Sequence, residues 1–124
     1  MEIDYKTPVL SPPREGGGWR LEKDWTVRMA GSDGRWSELT VKAGFKTDGA
    51  SIPRWLWRLC GHPLEVPRLY AAMVHDYIYS GYVDMKRKEA DALYREMLIA
   101  LGAPKWKAYA EWTALRAFGW THWR

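Results

Sequence analysis

Residues 66–102 read VPRLYAAMVHDYIYSGYVDMKRKEADALYREMLIALG, and their pattern predicts two helices joined by a short loop. The first helix is expected over 67–79, because Pro67 suits a first helical turn and a glycine follows shortly after Tyr79. The second is expected over about 85–101, with Gly102 as its C-cap. Its apolar residues recur at helical spacing and predict a buried stripe that consists of Ala90, Leu93, Tyr94, Met97, Leu98 and Leu101.

The remaining segments predict an α+β fold. Residues 19–46 alternate apolar and polar side chains around a Gly-Ser-Asp-Gly turn, which indicates a β-hairpin. Residues 1–18 contain three prolines and three glycines and predict an irregular arm, whereas residues 47–65 predict a loop with a short helix. A third helix is expected from Pro104 to about Phe118 and completes the helical part, 66–119. We expect one domain over 1–124, in which a β-hairpin or small antiparallel sheet packs on a bundle of about three helices.

Composition limits the classes of function. The net charge of +4 suits a weak attraction to phosphate or lipid headgroups, but no motif for specific nucleic-acid recognition is visible. Cys60 is the single cysteine, which excludes an internal disulfide and a zinc site built from several cysteines. No signal peptide and no apolar run of membrane-spanning length is visible, so we expect synthesis in a cytoplasm.

The chain contains nine Trp and seven Tyr, more than one small core can hold. Some of these rings should lie on the surface, where they are favoured at protein interfaces and at the boundary between water and lipid. The expected partners are therefore an anionic lipid surface or another protein.

Charged residues in the two predicted helices form a candidate site. His75 lies in an almost wholly apolar segment, where an unpartnered buried charge costs several kcal/mol. Tyr79 is four residues further on, and Arg87 and Asp91 are likewise four apart, so each pair shares one side of its helix. Two antiparallel helices would bring these sides together, so we expect Asp91 to contact His75 or Tyr79.

This arrangement has a chemical logic. A histidine bonded to a carboxylate through one ring nitrogen keeps a free basic nitrogen, so His75 becomes a candidate general base oriented by Asp91. Asp76 is a hard oxygen ligand suited to Ca²⁺ or Mg²⁺, and such an ion would stabilise a developing oxyanion. Loop carbonyls around Asp48 and Gly49 would complete its coordination.

Structural interpretations of the same residues stay open. The His–Asp pair can serve as a clasp between helices, and Arg87 with Asp91 can be an ordinary surface pair. Asp48 can cap a helix or fix the turn instead of binding a metal. Ser51 is a weaker candidate nucleophile, because no Gly-x-Ser-x-Gly turn surrounds it.

Three segments of the sequence resemble a family of small proteins of tailed phages and prophages that is catalogued as a domain of unknown function. These segments are TDGASIPRWLW, AAMVHDYIY and RKEADALYREM. The resemblance covers about residues 40–119. It implies a phage or prophage origin, and with it the structural proteins of a phage as protein partners and a host cytoplasm as the place of synthesis. It implies no particular activity.

The words VHDYIY and EADALYREM also resemble the two-helix core of phospholipase A2, although the cysteines usual there are absent. This resemblance implies that His75 is the general base and Asp76 a calcium ligand. It further implies that Tyr79 helps to hold the carboxylate of Asp91.

Three functions are therefore expected in order. The first is a phage-encoded hydrolase that cleaves phospholipid esters with the help of a metal. The second is a virion or assembly component in which His75, Asp76, Tyr79 and Asp91 form a structural clasp. The third is a lysis-associated peptidoglycan hydrolase with zinc, for which His62 and His122 are the other histidines.

Overall fold

The computed structural model describes residues 2–11, 19–31, 33–47, 66–121 and 123. The chain divides into two compact units, Met1–Asp48 and Gly49–Arg124. Among the described residues, the first unit contains antiparallel strands and the second contains three α-helices, which confirms the predicted α+β fold. The single domain over 1–124 stays a prediction. The loop and short helix predicted over 47–65 lie outside the described residues, apart from Thr47.

Six strands are described in the first unit: β1 Glu2–Tyr5, β2 Leu10–Ser11, β3 Trp19–Leu21, β4 Trp25–Ala30, β5 Trp36–Val41 and β6 Lys46–Thr47. They form one sheet in the order β1-β4-β5 and another in the order β2-β3-β6. Every neighbouring pair is antiparallel.

The predicted β-hairpin corresponds to β4 and β5. Trp25 and Val27 are buried while the intervening Thr26 is exposed, as the alternating pattern requires. Val27 is opposite Leu39 in the register, so apolar side chains meet across the two strands. The turn ends at Gly34, whose φ of +75° is a conformation that favours glycine. The hairpin prediction is therefore confirmed.

The prediction of an irregular arm over 1–18 is wrong at β1 and β2. In β1, Ile3 is opposite Met29 of β4, and in β2, Leu10 is opposite Leu21 of β3. Strand pairing satisfies backbone N–H and C=O groups whatever the local side-chain pattern. Residues 2–5 and 10–11 therefore form strands because β4 and β3, later in the chain, offer strand edges to pair with. This pairing outweighs the local preference for irregular structure around Pro8.

The helices of the second unit are α1 Val66–Tyr79, α2 Arg87–Ala100 and α3 Lys105–Phe118, followed by a 3₁₀ turn at Gly119–Thr121. Their bounds agree with the predicted helices to within two residues. After α2, Gly102 adopts a φ of +104° and donates its N–H to the carbonyl of Ile99, which terminates the helix as predicted. Helix α2 packs against both α1 and α3. Among the described residues of this unit, the largest fully buried apolar side chains are Met73, Ile78, Tyr94, Met97, Leu98 and Leu115.

Candidate functional site

The candidate site is centred on the carboxylate of Asp91 in α2. Its Oδ1 lies 2.8 Å from Nε2 of His75 in α1 and also accepts a hydrogen bond from the Tyr79 hydroxyl. Its Oδ2 lies 2.8 Å from Nη1 of Arg116 in α3 and 3.6 Å from Nη1 of Arg87. We call these five residues the Asp91 cluster. The structure thus brings Asp91 together with both His75 and Tyr79.

Burial and hydrogen bonding act in opposite directions on the Asp91 carboxyl. The residue is 0% exposed, and this burial favours its neutral form. Hydrogen bonds from His75, Tyr79 and Arg116 outweigh burial, so the pKa of Asp91 lies below its ordinary value. Asp91 is consequently ionised at neutral pH. The interpretation of Arg87 and Asp91 as an ordinary surface pair is wrong, because the carboxylate is wholly buried.

His75 is held with one ring nitrogen bonded and the other without a partner in the part of the chain that the structure describes. The side chain is 1% exposed, and its ring centroid lies 4.0 Å from that of Tyr79 and 5.1 Å from that of Tyr94. An ionised Asp91 can only accept at this bond, so the proton between the two groups belongs to Nε2. In the neutral imidazole, the lone pair is then on Nδ1. Among the described residues, this buried Nδ1 has no hydrogen-bond partner.

Tyr79 is held in its neutral form. Burial raises the pKa of its hydroxyl, and the hydrogen bond to Asp91 and the negative charge of that residue raise it further. The neutral hydroxyl donates to Asp91, and its ring lies against His75. Tyr79 therefore helps to hold both the carboxylate and the imidazole in place.

The two arginines connect the cluster to the end of α3. Besides contacting Asp91, Arg87 donates from Nη1 to the carbonyl of Leu115 at 3.1 Å. Arg116 reaches the same carboxylate from α3 itself. Gly119 lies so close that an added Cβ would be 2.8 Å from the Tyr79 hydroxyl oxygen. The site thus joins α1, α2 and the C-terminal end of α3.

Several members of the site were not predicted from the sequence. Arg116 and Gly119 lie 25 and 28 positions after Asp91, and no local pattern connects them to it. Beside the site, Tyr94 donates to the buried carboxylate of Glu111 at 2.9 Å. Glu111 carried a usable signal, because it lies three residues after Ala108 and four before Leu115, on the buried face of α3.

The predicted metal ligands are only partly described. Asp76 follows His75 directly and is partly exposed. The residues that the structure describes contain no group of three or more His, Cys, Asp or Glu side chains placed to hold a metal ion. Asp48, Gly49 and Ser51 lie outside those residues, so their predicted roles stay predictions. The same applies to His62 and His122, the other histidines of the zinc hypothesis.

Within the described part of the chain, no helix has the length and apolar character needed to cross a membrane.

Comparison with known proteins places this α+β chain in a family. It belongs to the family described as "Protein of unknown function (DUF1353)", whose profile matches residues 19–115. It is similar to two proteins of Sinorhizobium fredii: uncharacterized protein y4jT, with 35% identity over 86 residues, and uncharacterized protein y4iH, with 38% identity over 74 residues. These matches cover 65% and 60% of this chain but 24% and 30% of the two relatives, so the chain spans less than a third of their length. No solved structure gives a significant match.

Proposed function

We propose that this chain is a hydrolase in which His75 is the general base and Asp91 orients it. The observation that carries the proposal is the geometry of the imidazole. Nε2 is bonded to an ionised carboxylate at 2.8 Å, while the buried Nδ1 has no partner in the described residues. A fixed tautomer with a free basic nitrogen is the arrangement that general-base catalysis requires.

In the proposed reaction, Nδ1 of His75 takes a proton from water as the water oxygen attacks an ester carbonyl. The carboxylate of Asp91 stabilises the imidazolium that forms. When the tetrahedral intermediate collapses, the ester C–O bond breaks and the imidazolium returns its proton to the leaving alkoxide. The products are a carboxylic acid and an alcohol, and His75 regains its starting state.

Calcium is part of this proposal. Asp76 would be one ligand, and the loop around Asp48 and Gly49 would provide others. When bound, a divalent ion would polarise the carbonyl and stabilise the oxyanion. Since the described residues provide one of these three ligands, we assign no proton-transfer step to the ion.

A phospholipid is the proposed substrate, and a phage or prophage is the proposed origin. The resemblance of residues 74–79 and 89–97 to the phospholipase A2 core supports the substrate class. The three ordered words in residues 47–57, 71–79 and 87–97 support the origin.

The test is fatty-acid release from phospholipid vesicles by the purified chain in Ca²⁺, with His75→Gln as the key variant and Tyr82→Phe as an exposed control. We expect His75→Gln to reduce the rate by about 10²- to 10⁴-fold, the usual contribution of a general base. Tyr82→Phe should leave the rate unchanged. Equal rates for folded wild type and His75→Gln, or no release by wild type, would refute the proposal.

A structural role in a virion or assembly component is the second candidate. It is favoured by the contacts of Asp91 with residues from α1 and α3, since such contacts fix helix packing whether or not chemistry follows. Thermal melting in EDTA and then in Ca²⁺ separates the candidates. A Ca²⁺-dependent rise in Tm that Asp76→Ala abolishes favours the hydrolase, because a ligand bound only by the folded state stabilises it. Melting that Ca²⁺ does not change, with a large loss of Tm in His75→Gln, favours the clasp.

A further inference from the structure

Helix α3 has an outward face that lacks charge. Trp106, Tyr109, Thr113 and Ala117 recur at intervals of three or four residues, so they share one side of the helix, and all four are exposed. Trp106 is 63% exposed and Tyr109 is 48% exposed. A surface helix ordinarily presents charged residues to solvent on this side. We call these four residues the aromatic face.

One polar group of the aromatic face, the Thr113 hydroxyl, is already occupied. The hydroxyl of Thr113 donates to the backbone carbonyl of Tyr109 at 2.8 Å, which lowers its demand for water. Beyond the helix, Trp120 in the 3₁₀ turn is 66% exposed and adds a further ring to this end of the chain. The aromatic face is therefore largely apolar. Its indole N–H and phenol O–H groups can still bond to water, which suits a boundary between water and an apolar phase.

Positive charge borders the aromatic face. Lys105 and Lys107 flank Trp106 in sequence, and the guanidinium of Arg95 lies 4.9 Å from the Tyr109 ring centroid, although Arg95 also pairs with Glu96. The acidic residue of α3, Glu111, is buried on the opposite side and bonded to Tyr94. The other charged residues of α3 are all basic: Lys105 is exposed, while Lys107 and Arg116 are half-buried.

The same asymmetry holds for the whole chain. Residues 1–48 contain eight basic and eight acidic residues, whereas residues 49–124 contain eleven basic and seven acidic ones. The entire net charge of +4 therefore belongs to the unit that carries the aromatic face.

We propose that the aromatic face docks on an anionic lipid surface. Trp and Tyr rings settle at the headgroup level, and flanking lysines reach anionic headgroups with their ammonium groups. Protein interfaces also favour Trp and Tyr but are depleted in Lys, which disfavours a protein partner beside Lys105 and Lys107. The choice of lipid rests in part on the proposed function, because a phospholipid hydrolase must meet its substrate at such a surface.

The test is co-sedimentation of the full chain with phosphatidylcholine vesicles, with and without phosphatidylserine, in EDTA so that binding is measured without calcium-dependent hydrolysis. We expect binding only to the vesicles that contain phosphatidylserine. Trp106→Ala should weaken it at least about tenfold, as expected when one large ring no longer enters the boundary. Lys105→Gln and Lys107→Gln should each weaken it about fivefold and together reduce its dependence on salt.

The matched control is Trp36→Ala, which removes an exposed Trp of β5 and should leave binding unchanged. Thermal melts of all variants check that each is folded. Lack of binding by wild type, or equal binding by folded Trp106→Ala, would overturn the proposal. The proposal would also be overturned if the lysine variants lost binding while Trp106→Ala kept it. A dimer in solution that Trp106→Ala dissociates would overturn it too. Failure here would leave the His75 proposal standing, since that rests on activity lost in His75→Gln.

Discussion

The guanidinium of Arg116 lies 2.8 Å from Oδ2 of Asp91, while Nε2 of His75 lies 2.8 Å from the other oxygen of the same carboxylate. A single buried group in α2 thus joins side chains from α1 and α3. Because Asp91 has no exposure to water, its charge depends on these partners for stabilisation. The carboxylate of Asp91 therefore helps to fix both the packing of the three described helices and the orientation of His75.

Replacing Arg116 by Met should destabilise the fold. The variant removes the closer of the two cations at Oδ2 and leaves Arg87 at 3.6 Å, so Asp91 stays buried with weaker compensation. We expect the free energy of unfolding to fall by about 1–3 kcal/mol, measured by urea denaturation. The control is Arg28→Met, whose ion pairs with Asp4 and Glu38 are half-exposed and worth about 1 kcal/mol or less. Equal losses in the two variants would contradict the assigned role of Arg116.

Replacing Asp91 by Asn should change how stability depends on acid. The pKa of Asp91 is lower in the folded chain than its unfolded value of about 3.9, so its contribution is complete above about pH 4 and is lost as pH falls through the folded pKa. We expect Asp91→Asn to be about 3–5 kcal/mol less stable than wild type at neutral pH. Its stability should then fall less steeply with acid than that of wild type.

The measurement is a series of urea denaturation curves from neutral to strongly acidic pH. Glu96→Gln is the matched control in the same helix, because Glu96 is 40% exposed and pairs with Arg95 on the surface. Parallel acid limbs for wild type and Asp91→Asn would show that Asp91 does not titrate as the structure requires.

The elements that carry the site followed from local signals in the sequence. The ends of α1 and α2 were predicted because Pro67, Gly81 and Gly102 act within a few residues of themselves. The contact of His75 with Asp91 followed from helical spacing and a short connecting loop. The relative burial of His75 and Asp76 could not be predicted. Asp76 lies three and four residues after the buried Met73 and Ala72, yet His75 is the more deeply buried of the two.

Partners that are distant in sequence account for the rest. Helix α1 is buried almost all round from Tyr70 onward, so a period of 3.6 residues cannot rank its positions. Arg116 reaches Asp91 across 25 positions, and β1 pairs with β4 across more than twenty. Such contacts depend on tertiary packing and on the pairing of distant strands. A short stretch of sequence carries no information about either.

Replacing Tyr79 by Phe should flatten the alkaline loss of stability. The pKa of the Tyr79 hydroxyl is higher in the folded chain than its unfolded value of about 10, so stability is lost as pH rises above that value. Without the hydroxyl this loss disappears, while the missing hydrogen bond costs about 1.5–3 kcal/mol at neutral pH. Urea denaturation at neutral and alkaline pH measures both effects. Tyr82→Phe, at an exposed position, should follow wild type, and an unchanged alkaline limb in Tyr79→Phe would refute the assignment.

Replacing Gly119 by Ala should disturb the Asp91 cluster from outside it. The added Cβ would lie 2.8 Å from the Tyr79 hydroxyl oxygen and 3.3 Å from Nη1 of Arg87, although the φ of −65° suits alanine. The side chains must therefore move, and we expect a loss of about 1–3 kcal/mol from this overpacking.

A double-mutant cycle identifies the cause of that loss. In the Tyr79→Phe background the nearest atom is absent, so Gly119→Ala should cost less than it does in wild type, with a coupling energy of about 0.5–3 kcal/mol. Strictly additive losses, measured by urea denaturation of all four proteins, would show that Gly119 does not act through Tyr79. In that case the Tyr79 hydroxyl keeps its hydrogen bond to Asp91 in the alanine variant. The 3.3 Å contact of the added Cβ with Nη1 of Arg87 would then be the remaining source of strain.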